Sequence, residues 1–220
     1  MFNLIIKDFK ITKKINIIFF IYALGMSFIA IKSKAHHPGM LYIMSLILMV
    51  YISLLYANGY DGKYKIDIAL NSMPINKRNI VFSKYLSMIV YLAFYFLVMF
   101  VGSNVFGVIF NYRDNAISIW DFVICFNVMT IFYALYYPLY YKVSKEKLAI
   151  LNFATYITFL IIPTLFTKFV KSSLGHTFLM SISKINNINT IHLIFLLVAV
   201  ILQIISLAIS FEIYSRKEFY

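Results

Sequence analysis

Six apolar runs, each about long enough to cross a bilayer, constrain this chain more than any other feature: about 15–31, 40–57, 88–110, 120–141, 148–167 and 190–213. A hydrocarbon core ~30 Å thick takes roughly 20 apolar residues of helix per crossing. Inside it every backbone polar group must be satisfied within the protein. Six spans use more than half of the 220 residues, and no remaining stretch is long enough for a separate folded domain. The sequence therefore predicts one all-α membrane domain over 1–220, a polytopic protein with six transmembrane helices. Charged residues are 13% of the chain, where soluble domains hold about a quarter. Lysines precede the first run, and Ala23-Leu24-Gly25 resembles a signal-cleavage site. Yet the run continues to Ile31, longer than the apolar region of an ordinary signal peptide, so it reads as a span.

The basic residues give the orientation. With a cytoplasmic N-terminus, 14 of the 20 lysines and arginines fall in inner segments and 6 in outer ones. The positive-inside rule then puts both termini in the cytoplasm of a multi-pass cell-membrane protein. Anionic inner-leaflet lipid is partner enough for a net charge of +12, and no nucleic acid is needed to explain it. Residues 1–14 read as an amphipathic interfacial helix, with Phe2, Ile5, Ile6 and Phe9 on one face and Lys7, Lys10 and Lys14 on another.

Chemistry is sparse. The single cysteine, Cys125, excludes a disulfide framework. His36 and His37 are adjacent, so their side chains diverge, and no nearby carboxylate or thiol joins them as a metal site. The chain has no HExxH, no GxSxG and no GxxxxGK[ST] loop, so it is not read as an enzyme and holds no ATP in the P-loop manner. Its acidic residues lie in loops or near span ends, away from the midplane where ion-coupled transporters keep theirs. Asn104 and Asn127 sit within spans, where polar side chains glue helices together or line a path. Tyr133, Tyr137, Tyr140 and Tyr141 form an i, i+4, i+7, i+8 stripe at the inner end of the fourth run. That stripe is either an interfacial aromatic belt or a surface guiding an amphipathic substrate. Pro138 and Pro163 would kink the fourth and fifth helices. The body is transporter-like, without an energy source of its own.

The charge-dense insert Tyr60–Tyr85 joins the second and third runs. Asp61–Met73 alternates as a strand would, but it also carries Ile66, Ala69, Leu70 and Met73 at i, i+3, i+4, i+7. With no sheet to join, a short helix over 61–73 along the membrane face is expected, stopped by Pro74. Asn76 is a good N-cap for a helix running from Lys77 through the third span, over 30 residues and about 50 Å long. Residues 142–147 (KVSKEK) form a second inner loop. Residues 168–189 form the longest outer segment, either a re-entrant or surface helix or a lid loop.

The run Ser72-Met73-Pro74-Ile75-Asn76-Lys77-Arg78-Asn79-Ile80-Val81-Phe82-Ser83-Lys84-Tyr85 resembles a pattern of the compact branch of ABC-2-type transporter permeases. That pattern, SLPISRKxIVxxKY, follows the second span. Ser72, Pro74, Ile75, Ile80, Val81, Lys84 and Tyr85 are kept; Met73 and Asn76 depart from it, and Lys77-Arg78 swaps the basic types. The opening FNLIIKDFKITKK also resembles the basic LxxKD interfacial helix of that branch.

The resemblance implies a non-catalytic permease that pairs with itself or a related chain. It docks two copies of a cytosolic ABC ATPase, which holds ATP and Mg; this chain itself carries no cofactor. The insert would be the coupling helix. Asp61, Lys65 and Asp67 would make rim contacts, and the Tyr64/Ile68 side would enter the ATPase groove. Pro74, Asn76, Arg78, Lys84 and Tyr85 would belong to the same ATPase-coupling site. Lys142, Lys145, Glu146 and Lys147 would make a second, smaller contact. Exporters of amphipathic peptides such as phenol-soluble modulins look most similar, which points to a peptide or lipid-like substrate guided along Tyr133, Tyr137, Tyr140, Asn104 and Asn127. The rival reading is a stand-alone membrane immunity or sensor protein that binds a peptide without transport.

Overall fold

A computed structural model describes residues 2–33, 38–64, 66–143, 147–172 and 188–217; for 158–160, 162–167, 169–171 and 188–189 it describes the backbone alone. The described residues form eight α-helices and one 3-10 turn, with no strand among them. They are α1 (Phe2–Ile11), α2 (Lys13–Lys32), α3 (Pro38–Lys63), α4 (Ile66–Ser72), α5 (Lys77–Phe110), the 3-10 turn (Arg113–Asn115), α6 (Ile119–Lys142), α7 (Leu148–Lys171) and α8 (Ile188–Ser215). His36, His37 and most of the 168–189 segment lie outside the described residues.

Among the described residues, α2, α3, α5, α6 and α8 are long and apolar enough to cross a membrane. The fifth apolar run falls in α7, whose described apolar stretch, Leu148–Ile157, is shorter than a crossing. The described residues therefore hold five candidate spans, against the six that the apolar runs predict. The outer faces of α2 and α8 expose Ile18, Ile21, Leu197 and Ile204. Such apolar exterior suits helices whose solvent is lipid rather than water.

Local chemistry sets the helix ends. The Asn76 side chain accepts from the Arg78 N–H at 2.9 Å and opens α5, 34 residues long. At the far end Asn111 takes the left-handed conformation (φ 58°) and stops the helix. Ser118 and Asp121 cap α6 reciprocally. Between α1 and α2 the Thr12 hydroxyl donates to the Asp8 carbonyl (3.0 Å) and lies 2.6 Å from the Tyr91 hydroxyl, which pins the bend to α5.

Helix α2 packs along α5, and α6 along α8. The buried residues of α2 are Ala23, Ser27, Ala30 and Ile31, and small residues let helix backbones approach closely in a membrane. The approach is tightest at Gly102, where a Cβ would lie 3.1 Å from Leu24 Cδ2 and 3.3 Å from Ser27 Oγ. Gly102→Leu is expected to overpack this crossing and cost about 1–3 kcal/mol. Thermal unfolding in detergent checks it, with Val101→Leu as control. Val101 is 60% exposed, so its substitution should leave the transition unmoved.

Candidate coupling site at one end of the bundle

The insert between α3 and α5 folds as an elbow. Helix α3 does not stop where its apolar run stops; it continues to Lys63. Asp61 therefore lies in its last turn and does not open a new helix. The Tyr64 N–H still bonds the Tyr60 carbonyl at 3.1 Å, and the two rings lie 4.3 Å apart. The expected 61–73 helix is thus shorter, Ile66–Ser72. It ends just before Pro74, and Lys65 lies outside the described residues.

The resemblance puts Asp61 at a docking rim. Instead its side chain is 2% exposed and joins a buried charge cluster. Lys84 Nζ lies 2.5 Å from Asp61 Oδ2 and 3.2 Å from Asp8 Oδ2. Lys7 Nζ lies 2.9 Å from Asp61 Oδ1 and 3.2 Å from Asp8 Oδ1. The Ser87 hydroxyl donates to Asp8 Oδ2 at 3.0 Å. Two cations and two carboxylates thus alternate around a neutral square that ties α1, the end of α3 and the start of α5 together. Leu4, Leu70, Ile80, Tyr140 and Tyr141 close around it, leaving a cavity of about 10 Å³. Charges this enclosed persist only because each is paired. Lys84 and Tyr85, which the resemblance also puts at the coupling site, are likewise buried. In the sequence, Lys7 and Asp8 show only as part of a basic amphipathic helix.

The exposed part of the elbow carries three large apolar side chains. Tyr64 is 55% exposed, Ile68 38% and Met73 53%, and Ala69, Pro74, Asn76 and Arg78 are exposed beside them. The expected stripe of Ile66, Ala69, Leu70 and Met73 is split by the fold: Ile66 and Leu70 are half-buried, while Ala69 and Met73 face out. Helix α4 is fastened from its inner side. Leu70 packs against the core, and the Asn71 amide donates to the Tyr214 hydroxyl of α8 at 2.8 Å. Asp67 is half-buried on that side. Lys77 Nζ donates to the Ser215 carbonyl at 3.1 Å, and the Arg78 guanidinium lies 4.9 Å from the Phe211 ring centroid.

The tyrosine stripe of α6 is neither an interfacial belt nor an open path in this structure. Tyr133, Tyr137, Tyr140 and Tyr141 are each at most 5% exposed and lie in the core. Tyr137 donates to the Lys84 carbonyl at 2.9 Å, binding α6 to α5. The physical reason is neighbours: α3, α5 and α8 all pack against α6 and cover the face that periodicity alone left open. Asn104 is exposed and its amide donates to the Phe100 carbonyl of its own helix at 2.8 Å. Asn127 is buried on α6, so the structure does not bring the two asparagines and the tyrosines into one lined channel. Of the second inner loop, Lys142 and Lys147 are exposed, while Lys145 and Glu146 lie outside the described residues.

Pro138 sits inside α6 without ending it. Lacking an N–H, it cannot bond the Ala134 carbonyl one turn earlier. The Ser206 hydroxyl of α8 donates to that carbonyl at 2.6 Å, and the Tyr85 hydroxyl lies 2.7 Å from both Ser206 and Ser210. Ser206→Ala is expected to leave a buried carbonyl unpaired and cost about 1 kcal/mol, read as a lowered detergent melting temperature. Ser206→Thr, which keeps the hydroxyl, should recover most of the loss.

Residues 3–215 match a family model described as "ABC-2 family transporter protein". No curated protein and no solved structure matches the chain.

Proposed function

The chain belongs to the ABC-2 transporter family as a membrane permease subunit, and from that premise we propose that it couples ATP hydrolysis on a cytosolic partner to movement of an amphipathic peptide or lipid-like substrate across the cell membrane. In this reading the exposed face of α4 is the docking surface. Two copies of an ABC ATPase, carrying ATP and Mg, each receive one such elbow from a pair of permease chains, identical or related. Lys142–Lys147 adds the smaller contact. The observation that carries the reading is the pairing of an apolar outer face (Tyr64, Ile68, Met73) with an inner side bonded to α8 and flanked by α3 and α5. A push on α4 then reaches α8 through the Asn71–Tyr214 hydrogen bond and α3 through direct packing.

With α7 as a sixth crossing and α1 in the interface, both termini face the cytoplasm. Single cysteines placed at Lys14 and Lys217 in a Cys125→Ala chain should then resist impermeant reagents added to intact cells; labelling from outside would refute this topology. Affinity purification from the native host in mild detergent tests the function. An ATP-hydrolysing subunit bearing a Walker A loop should co-elute in a fixed ratio, and inverted vesicles should take up an amphipathic peptide only with ATP. Elution of the chain without any such subunit would overturn the assignment.

A further inference from the structure

A second feature of α1 is unconnected to the elbow. Its apolar side and α5 enclose an open groove of about 440 Å³. Phe2, Ile6, Phe9, Val90 and Phe94 line it, together with Lys10 and Lys13. The walls are firm. Phe9 stacks on Tyr91 with centroids 4.2 Å apart and planes 6° apart, and meets Phe94 edge-on at 5.8 Å. No acidic side chain lines the groove among the described residues; Asp8 is turned into the buried charge cluster. Lys10, Lys13 and Lys14 are all exposed.

We propose that this groove is a binding site for an anionic phospholipid, with an acyl chain laid along Phe2, Ile6, Phe9, Val90 and Phe94 and the headgroup phosphate between Lys10 and Lys13. The charge pattern selects this occupant. An apolar slot lined also by cationic groups suits an acidic lipid at a membrane surface, where each lysine favours an anionic headgroup. A second copy of the chain docking through the same face would bring lysines against lysines, because a two-fold interface pairs a patch with itself. The proposal rests on α1 lying in the membrane surface, as in the function proposed above, but it needs no ATPase.

Native mass spectrometry of the purified permease alone, titrated with phosphatidylglycerol or phosphatidylcholine of identical chains, provides the test. Phosphatidylglycerol should bind about 30-fold more tightly, since two lysines each contribute. Lys10→Gln/Lys13→Gln should bring the two lipids close to parity, and Val90→Phe should weaken both alike by filling the groove. Equal binding of the two lipids by the unaltered chain would overturn the site. So would a preference that survives the double lysine variant, or an added amphipathic peptide that occupies the groove in place of lipid. Because no ATPase is present, failure here would leave the docking assignment standing, and loss of docking would leave this result unaffected.

Discussion

Lys84→Met is expected to leave little folded permease in the membrane. The side chains of Asp8 and Asp61 are each 2% exposed, and Lys84 is the group that bridges them at 3.2 and 2.5 Å. Without it Lys7 alone faces two buried carboxylates, and the cluster carries a net negative charge. Removing one partner from a buried ion pair costs about 3–5 kcal/mol, a large part of the 5–15 kcal/mol that typically holds a protein folded. The double variant Asp61→Asn/Lys84→Met restores neutrality and keeps the Lys7–Asp8 pair, so it should recover most of the loss. Size-exclusion profiles and melting temperatures in detergent report both results. A Lys84→Met chain as stable as the unaltered protein would show that the cluster holds nothing together.

Ile68→Glu should have the opposite profile, with intact folding and lost partnership. Ile68 is 38% exposed on the outer side of α4 and lies outside the buried core, so a carboxylate there can reach solvent. In a docked complex the same carboxylate would be buried without a partner. Losing one central apolar anchor costs an interface 2 kcal/mol or more, which weakens binding about 30-fold. ATPase retention on the affinity column should fall accordingly while permease yield stays level. Asp61→Ala separates the two roles further. The cluster predicts that it fails by lost stability, whereas a rim contact would have failed by lost docking alone.

Much of the scaffold is legible in the sequence because its causes are local. The apolar runs mark the long helices, Asn76 marks the start of α5, and Pro74 marks where α4 cannot continue. The 34-residue reach of α5 follows from those signals together. What sequence reasoning missed depends on contacts between distant residues. Asp8 and Lys84 are 76 positions apart, and Asp61 and Lys7 are 54 apart. Each alone reads as a charge at a span end, which solvent would ordinarily cover, and only the fold makes them a neutral square. The tyrosines of α6 misled for the same reason: helical spacing shows that Tyr133, Tyr137 and Tyr140 share a face, but not that other helices bury it. The one available signal was the resemblance itself, whose KD pair in the opening helix and Lys84 beyond the elbow are the residues that meet in the cluster.

Docking of an ATPase on the α4 face is the central claim, and site-specific photo-crosslinking in native membranes tests it most directly. A photoreactive residue replaces Met73, which is 53% exposed, and in a control chain replaces Ile119, 69% exposed at the opposite end of the bundle. Irradiation is predicted to join the Met73 position, and not the Ile119 position, to a cytosolic subunit bearing a Walker A loop, with the adduct lost in the Ile68→Glu chain. Crosslinks from Met73 to lipid alone, or an ATPase adduct of equal yield from Ile119, would contradict the account.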